Sequence, residues 1–515
     1  MIAGDLLGAR ARLTPSRTAF ISVADGNCYT YAAANERANR CALMWQWLGL
    51  KPGDRIGILA RNRMEYVDAF FAAGKTGIIL VPLNYRLAAT ELESIVRDAE
   101  LSAIEYEADF AHLLTGLRAA RFVRHWIALD HSTRTGDISY AEACASQGEQ
   151  SAVPHRAQPD DIYCILYTSG TTGTPKGVMI PHRQVMWNAY NTAICWELTC
   201  SDVAPVLLPM CHAGGLFVFL TPVVAAGGTL SIHRTVDVGE ILRVIRRYGY
   251  TLLMAVPMIF KGMLEHADFA TADLSRVRWM ISGGAPLPIY LIEAYQQRGI
   301  TFKQGYGLTE VGVNCFAMSE GVSQKKPGSV GTPFMFTEAR VMTSDSRECS
   351  AGEIGELKLR GPHVCLGYWR KPTATAGVLD DAGWFHTGDQ AWRDDDGCFY
   401  IAGRSKDMFI SGGMNVYPAE IENALLLHPS IEEAAVVAIS HPKWGEAGVA
   451  FVVLRTGYAA SRKSLDSMLR EKIAHYKLPY DYIFVDALPR NALGKVMKPA
   501  LQKMYAEQHA SHRSE

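Results

Sequence analysis

The chain has 515 residues, 49% hydrophobic and 20% charged, and its 51 Lys and Arg against 52 Asp and Glu leave a formal charge of −1 with a pI near 6.9. At roughly 150 residues per domain this length implies about three domains with large buried cores. The neutral balance lacks the basic footprint of a phosphate-backbone binder, which excludes nucleic acid as the main partner. Eleven Cys, an odd count with no CxxC spacing in a chain too long to need disulfide staples, point to a reducing, cytoplasmic compartment. The N-terminal MIAGDLLGARARL is interrupted by Asp5 and Arg10 and lacks the apolar run of a signal peptide.

In chain order, strand-like and helix-like stretches alternate through residues 1–403, the pattern of an α/β architecture. Residues 161–168 (DIYCILYT) read as a strand entering a Gly/Thr loop. Between Asp202 and His233 the chain carries no formal charge, over a length that could cross a bilayer. Pro205, Pro209, Gly214, Gly215, Pro222, Gly227 and Gly228 cut that stretch into pieces too short to span, so a buried strand, loop and core helix is expected, with no integral membrane association. A helix is expected over 241–248, strands over 251–256 and 278–281, and a helix over 288–297. The loops between them follow strand C-termini, the edge of an open α/β sheet where ligands bind. Near Gly403 the texture changes to FYIAGRSKDMFISGGMNVYP, after which a helix opens at Pro418 and strands follow at 434–439 and 449–454. That break suggests a boundary between an N-terminal unit, 1–403, and a small α+β unit, 404–515. The absence of a fixed-period repeat or low-complexity tract disfavours solenoids and disordered scaffolds.

The sharpest local signal is YTSGTTGTPKGV, residues 167–178. Its three glycines let backbone amides approach a phosphate, the hydroxyls of Thr168, Ser169, Thr171 and Thr172 add donors beside Gly170, and Lys176 supplies a cation. It departs from the GxxxxGK[ST] P-loop, because Pro175 stands for the second glycine and Gly177 for the Mg-binding hydroxyl.

This loop resembles the signature of the adenylate-forming superfamily, which includes acyl-CoA synthetases, peptide-synthetase adenylation domains and luciferases. LPMCHAGG (208–215), SGGAPL (282–287), QGYGLTE (304–310), GELKLRG (355–361), WFHTGD (384–389), GRSKDMFISGGMNVYP (403–418) and PRNALGK (489–495) follow in the family's order. The resemblance spans essentially the whole chain and is closest to fatty and other acyl-CoA ligases. It implies an α/β fold: a large N-terminal domain of packed α/β subdomains that binds ATP and acid, and a small mobile C-terminal α+β domain.

It also implies two half-reactions: a carboxylate and ATP form an acyl-adenylate and pyrophosphate, and the adenylate is then passed to the thiol of CoA. Residues 168–172 and Lys176 would hold the β and γ phosphates, Glu310 would bind Mg²⁺, and Thr309 would neighbour the α-phosphate. Tyr306 in the Gln304-Gly305-Tyr306-Gly307 run would lie against adenine, with Gly283, Gly284 and Ala285 as a flat backbone on the other side. Asp389 and Arg404 would meet the ribose, and Lys495 would bridge the carboxylate and the α-phosphate. Lys406 matches the family's hinge; Ser411, Gly412, Gly413 and Met414 would line the thiol tunnel; and Arg86, Tyr476 and Lys477 would meet the nucleotide end of CoA. Read alone, Glu310 fits a helix N-terminal acid, Asp389 and Arg404 solvated loop charges, Tyr306 a core aromatic and Lys495 a tail lysine. The motif context decides otherwise. A nucleotide-binding relative without turnover would be expected to have lost Glu310, Asp389, Arg404 or Lys495, and none is replaced.

For the acid, His212 stands where the family carries an aromatic or His beside the carboxylate, as a wall, a gate or a hydrogen-bonding group. Gly214, Gly307, Leu308 and Val311 are expected in the same pocket. No Asp occurs between Asp202 and Asp237 to hold an α-amino group, and burying an ammonium without a partner is costly, so amino acids are disfavoured. Residues 210–217 and 311–316 (VGVNCF) offer apolar groups, Cys211, Cys315 and Asn314, without Arg or Lys. A fatty or alicyclic acid is the first expectation and an aryl acid the second. No appended domain follows Lys495, which favours free CoA over a carrier-protein phosphopantetheine, and the terminal HRSE is not a peroxisomal address. A homodimer is left open.

Overall fold

The computed structural model describes residues 4–119, 123–130, 135–148, 157–168, 175–285, 287–411, 414–491 and 495–510. A seven-stranded sheet forms the first layer, and all its neighbours are parallel except the last pair, Ile162–Thr168 with Lys176–Pro181. That antiparallel pair is a finding beyond the expected strand. Thr168 lies opposite Lys176, so the phosphate-loop segment joins the two arms of a hairpin. The helix Met64–Thr76, buried along nearly its whole length, packs against this sheet. Tyr163 donates to the Phe70 carbonyl at 2.8 Å, and a Cβ on Gly74 would sit 2.7 Å from the Tyr163 hydroxyl, so only glycine lets the ring lie against that helix.

A second sheet joins Val203–Val206, Thr229–Ile232, Thr18–Ser22 and Cys28–Thr30. The charge-free stretch contributes two of its strands and the short helices Ala213–Phe217 and Leu220–Ala226, divided at its glycines and prolines as expected. No helix among the described residues is long and apolar enough to cross a membrane. A third, parallel sheet joins Leu252–Ala255, Trp279–Ser282 and Phe302–Gln304, and the flanking helices Val238–Tyr248 and Ile289–Gln296 fall close to their expected places.

The segment from Phe316 to Arg404 departs from the expected α/β alternation. It builds a six-stranded antiparallel sheet, and in Gly355–Arg360 and Phe385–Arg393 buried residues alternate with half-buried ones, the period-two signature of a sheet with one solvated face. Its last strand, Phe399–Arg404, ends in a turn at 405–407. The C-terminal sheet begins beyond it at Phe409–Ser411 and is built on the long hairpin Ile431–His441 and Gly445–Leu454, with the helix Pro418–Leu425 against it. This unit closes on the rest of the chain through Lys261–Glu432 at 2.8 Å and Arg455–Glu265 at 4.0 Å.

One buried carboxylate makes the core sensitive to pH. Glu105 is fully buried and accepts a hydrogen bond from the Trp45 indole at 2.7 Å, and burial pushes its pKa up to about 8. The unfolded chain ionises this group near 4.5, so the stability it contributes is fully present below that pH and is lost as pH rises towards about 8. Glu105→Gln, neutral at every pH, is therefore expected to gain a few degrees of thermal midpoint over wild type between pH 5 and pH 8.5. A constant difference across that range would show that Glu105 is ionised in the fold.

Candidate active site

The strand Trp279–Ser282 delivers Gly283, Gly284 and Ala285 as nearly bare backbone at its C-terminal end. Gly284 has φ +80°, a left-handed conformation natural to glycine. The neighbouring strand ends at Gln304, and Gly305 N–H donates to the Ser282 carbonyl at 2.7 Å, holding the two loops edge to edge. A Cβ on Gly307 would lie 2.3 Å from the Val313 carbonyl oxygen, so this glycine serves chain packing. Tyr306, half-buried, meets Phe316 edge-on at 5.8 Å and donates its hydroxyl to Asp389 Oδ2 at 2.5 Å.

Asp389 and Arg404 are opposite each other in the antiparallel pair Phe385–Arg393 and Phe399–Arg404. Arg404 Nε lies 2.7 Å from Asp389 Oδ1. Burial raises the Asp389 pKa, while Arg404 and the Tyr306 hydroxyl work to lower it. The carboxylate, Tyr306 and Arg404 thus form one hydrogen-bonded unit beside the glycine backbone.

Thr309 and Glu310 lie in a short 3-10 turn, Thr309–Val311. Gln184 donates to the Thr309 carbonyl at 2.9 Å, and Cys365 N–H donates to the Glu310 carbonyl at 2.7 Å. The Glu310 carboxylate accepts from the Tyr368 hydroxyl at 3.0 Å, and burial raises its pKa. Lys176 places its ammonium 5.0 Å from the centre of the same Tyr368 ring. Thr168 closes the strand opposite Lys176; Ser169, Gly170, Thr171 and Thr172, and likewise Gly412 and Gly413, lie outside the described residues.

Lys495 reaches this centre from the C-terminal unit. Its charge acts on Glu310, Asp389 and His212, and surrounding protein and Arg404 lower its own pKa. Its backbone is anchored through Asn491, whose side-chain oxygen accepts from Lys495 N–H at 3.0 Å. Lys406 is exposed in the turn between Phe399–Arg404 and Phe409–Ser411. Ser411 is buried and paired with exposed Met414 across the next hairpin. Arg86 is exposed over Tyr85, and its charge acts on His212. Exposed Tyr476 lies beside Lys477, which is engaged with Glu420 at 2.6 Å instead of standing as a solitary cation.

His212 caps the helix Ala213–Phe217. Burial, helped by Arg86 and Lys495, pushes its pKa down to about 4, so it is neutral at physiological pH. Its Nε2 is enclosed and has no hydrogen-bond partner among the described residues. Next to it lies a small apolar slot bounded by Pro205, Leu208, Gly214, Val218, Phe219 and Met254. Two expected wall groups turn out to be structural. Asn314 donates to Thr192 Oγ1 at 3.0 Å and to the Val218 carbonyl at 3.1 Å, and the Cys315 thiol donates to the Gly312 carbonyl at 3.1 Å. Leu308 and Val311 pack with the main core, and neither is among the groups bounding the slot.

Asn62, Gln184, Met254 and Tyr368 escaped the sequence reading. None is in the quoted motifs, and only Tyr368, after Gly367 in CLGYWRKP, carried a local signal, an aromatic beside glycine in a polar stretch. Asn62 holds the loop before His212 from both sides: its oxygen accepts from Met210 N–H at 2.7 Å and its amide donates to the Leu208 carbonyl at 3.0 Å. Two hydrogen bonds at about 1 kcal/mol each imply that Asn62→Leu raises the KM for the acid roughly 10-fold or more. The KM for ATP should stay within about twofold; an equal rise in both would assign Asn62 a global role.

The sequence profile of the AMP-binding enzymes matches residues 7–369, and that of the AMP-binding enzyme C-terminal domain matches residues 420–495. Feruloyl-CoA synthase of an Amycolatopsis species is 36% identical over 496 residues, covering 96% of this chain and 97% of the relative. Long-chain-fatty-acid–CoA ligase FadD13 of Mycobacterium tuberculosis is 35% identical over 508 residues, 98% of each. Among solved structures, ATP-bound MatB from Rhodopseudomonas palustris superposes with a TM-score of 0.89 at 31% identity, covering 98% of this chain and 99% of that one. Matches of this length to both the large and the small unit leave one conclusion: the chain belongs to the AMP-binding enzyme family and is an acyl- or aryl-CoA ligase of the adenylate-forming superfamily.

Proposed function

We propose that the enzyme activates an apolar carboxylic acid, fatty or alicyclic, and transfers it to free CoA in the cytoplasm. The observation that carries this reading is the chemistry of the wall next to His212 in the chain: Pro205, Leu208, Gly214, Val218, Phe219 and Met254 border a narrow gap there, with no charged side chain among them. Each methylene buried there would contribute about 0.8 kcal/mol, and a second carboxylate would have no cation to meet. An aryl acid is the second reading, favoured by the name of the feruloyl-CoA synthase relative.

In the first half-reaction a carboxylate oxygen attacks the α-phosphorus of ATP, the bond to the bridging oxygen breaks and pyrophosphate leaves. Tyr306 and the backbone at 283–285 hold the adenine, Asp389 and Arg404 the ribose, and Lys176 with residues 168–172 the outer phosphates. Lys495 places its positive charge between carboxylate and α-phosphate, where negative charge concentrates. Neutral His212 can hydrogen-bond the carboxylate without competing with Lys495 as a cation. Glu310 suits a Mg²⁺ ion, since one carboxylate together with phosphate oxygens and water is how proteins commonly hold it, and burial makes a nearby cation favourable. Such an ion would offset the charge of the phosphates.

In the second half-reaction the thiol sulfur of CoA attacks the acyl carbon, AMP leaves and the thiol proton passes to solvent. We place the boundary between the units in the turn after Arg404, with Lys406 as the pivot, so that Ser411, Gly412, Gly413 and Met414 come to line the thiol's path. Arg86 and Tyr476 remain the candidates for the nucleotide end of CoA, with Lys477 shared with Glu420.

Pyrophosphate release in the presence of CoA should favour fatty or alicyclic monocarboxylic acids over malonate; a dicarboxylate optimum overturns this choice of acid. Gly214→Val, whose Cβ would already meet the Leu208 side chain at 2.8 Å, should lower kcat/KM for bulky acids about 10-fold or more while sparing acetate. Lys495→Ala should reduce adenylation by at least about 10²–10³-fold yet leave thioester formation from a supplied acyl-adenylate nearly intact. Equal loss of both steps refutes that division of labour.

A further inference from the structure

Residues 365–369 form a short strap that touches both the lysine of the phosphate loop and the glutamate of the 3-10 turn. Cys365 N–H donates to the Glu310 carbonyl at 2.7 Å, Leu366 N–H to the Met179 carbonyl at 3.0 Å, and Trp369 N–H to the Gly177 carbonyl at 2.7 Å; Met179 N–H returns a bond to Gly367 at 2.9 Å. The strap is therefore stitched to the strand that begins at Lys176. Gly367 has φ +104°, and a Cβ there would lie 2.2 Å from the Thr375 methyl, so the bend is specific to glycine. Thr375 in turn accepts from Tyr368 N–H at 2.9 Å. The result of this bracing is the placement of one side chain, Tyr368, which is only 7% exposed.

Tyr368 meets a cation with its ring and an anion with its hydroxyl. Lys176 Nζ is 5.0 Å from the ring centre, and the hydroxyl is 3.0 Å from Glu310 Oε1. A lysine and a glutamate this close to a common neighbour would otherwise gain by pairing with each other, which would neutralise both before any nucleotide arrived. A tyrosine between them satisfies each with a neutral group, since an aromatic face attracts an ammonium and a phenol O–H donates to a carboxylate.

We infer that Tyr368 is a positioning residue for adenylation: it holds Lys176 and Glu310 apart, each facing the phosphate chain, and prevents their collapse into an ion pair. The inference rests on the proposed roles of Lys176 and Glu310 towards ATP. Tyr368 itself touches neither reacting atom.

The test uses the full-length enzyme with Tyr368→Phe, Tyr368→Leu and, as a control on the underlying reading, Glu310→Gln. The Phe variant keeps the ring and loses only the hydrogen bond to a charged group, so acid-dependent ATP–pyrophosphate exchange should fall roughly 10-fold. The Leu variant, which removes the spacer, should fall further and bind Mn²⁺·ATP more weakly than wild type by calorimetry. Both should form thioester from supplied acyl-adenylate at the wild-type rate, a split that a general loss of structure would not produce. Wild-type exchange and Mn²⁺·ATP affinity in both variants, or equal loss of both half-reactions, overturns the inference. A Glu310→Gln enzyme with full exchange overturns the reading of Glu310 and this inference with it; loss in Glu310→Gln beside an unaffected Tyr368→Leu overturns the inference alone.

Discussion

Asp389 is the group on which the arrangement of the site depends. Its two oxygens receive the Tyr306 hydroxyl and Arg404 Nε, and it is buried where an unpaired carboxylate would cost several kcal/mol. Those two partners come from different parts of the fold. Tyr306 follows the last strand of the parallel three-stranded sheet, and Arg404 ends the last long strand of the antiparallel sheet. One carboxyl group therefore ties the loop after the three-stranded sheet to the six-stranded sheet, at the place where the chain leaves that sheet for the C-terminal unit. The turn follows at once, with Ser405 N–H donating to the Gly388 carbonyl at 2.9 Å and Gln390 donating to Ser405 Oγ at 2.7 Å. The turn is thus anchored on its Arg404 side and exposed at Lys406.

The same electrostatic economy runs through the cleft. Burial first, and then the nearby charges of Arg404 and Lys406, lower the pKa of Lys495. Opposite them, burial raises the pKa of both Glu310 and Asp389. Burial disfavours the charged form of each carboxyl group, and the positive charges of Arg404 and Lys495 work against that. Most charges elsewhere are already matched: Asp202 is bonded by Arg278 and Thr251, Asp68 by Arg37 and Tyr140, Glu107 by Arg61 and Arg234. The near-zero total of the sequence thus includes many charges matched within the fold, Asp389 with Arg404 among them.

Motif-bearing loops were legible in the sequence because their function restricts them locally. The backbone of 283–285 is nearly bare, and a glycine-rich segment announces that in its own composition. The short strands and helices of the parallel layers were legible for a related reason, since their burial follows a period that a window of ten or so residues reveals. The antiparallel sheet from Phe316 to Arg404 was not, because its strands are separated by long irregular segments. Its alternation becomes evident only once Gly355–Arg360 and Phe385–Arg393 are seen as neighbours. That Asn314 and Cys315, expected in the pocket wall, are tied by hydrogen bonds to Thr192, Val218 and Gly312 was not legible either, because residue type alone does not say which partners packing brings near.

What the amino-acid sequence determined by itself is the family and the residue types its chemistry would use: a Gly/Thr/Lys loop, Glu310, Asp389 and Arg404, and a lysine near the C-terminus. Each of these is a property of residue type within a few positions of chain. What only the tertiary structure decided is which of those residues act on one another. Tyr368 lies between Lys176 and Glu310, Asn62 grips the loop of His212 from a distant strand end, and the charge of Lys495 reaches Asp389 across the junction of the two units. The physical reason is range. Side-chain type and backbone freedom are set locally, whereas a hydrogen bond or a Coulomb interaction depends on separation in space, which the packing of distant segments alone determines.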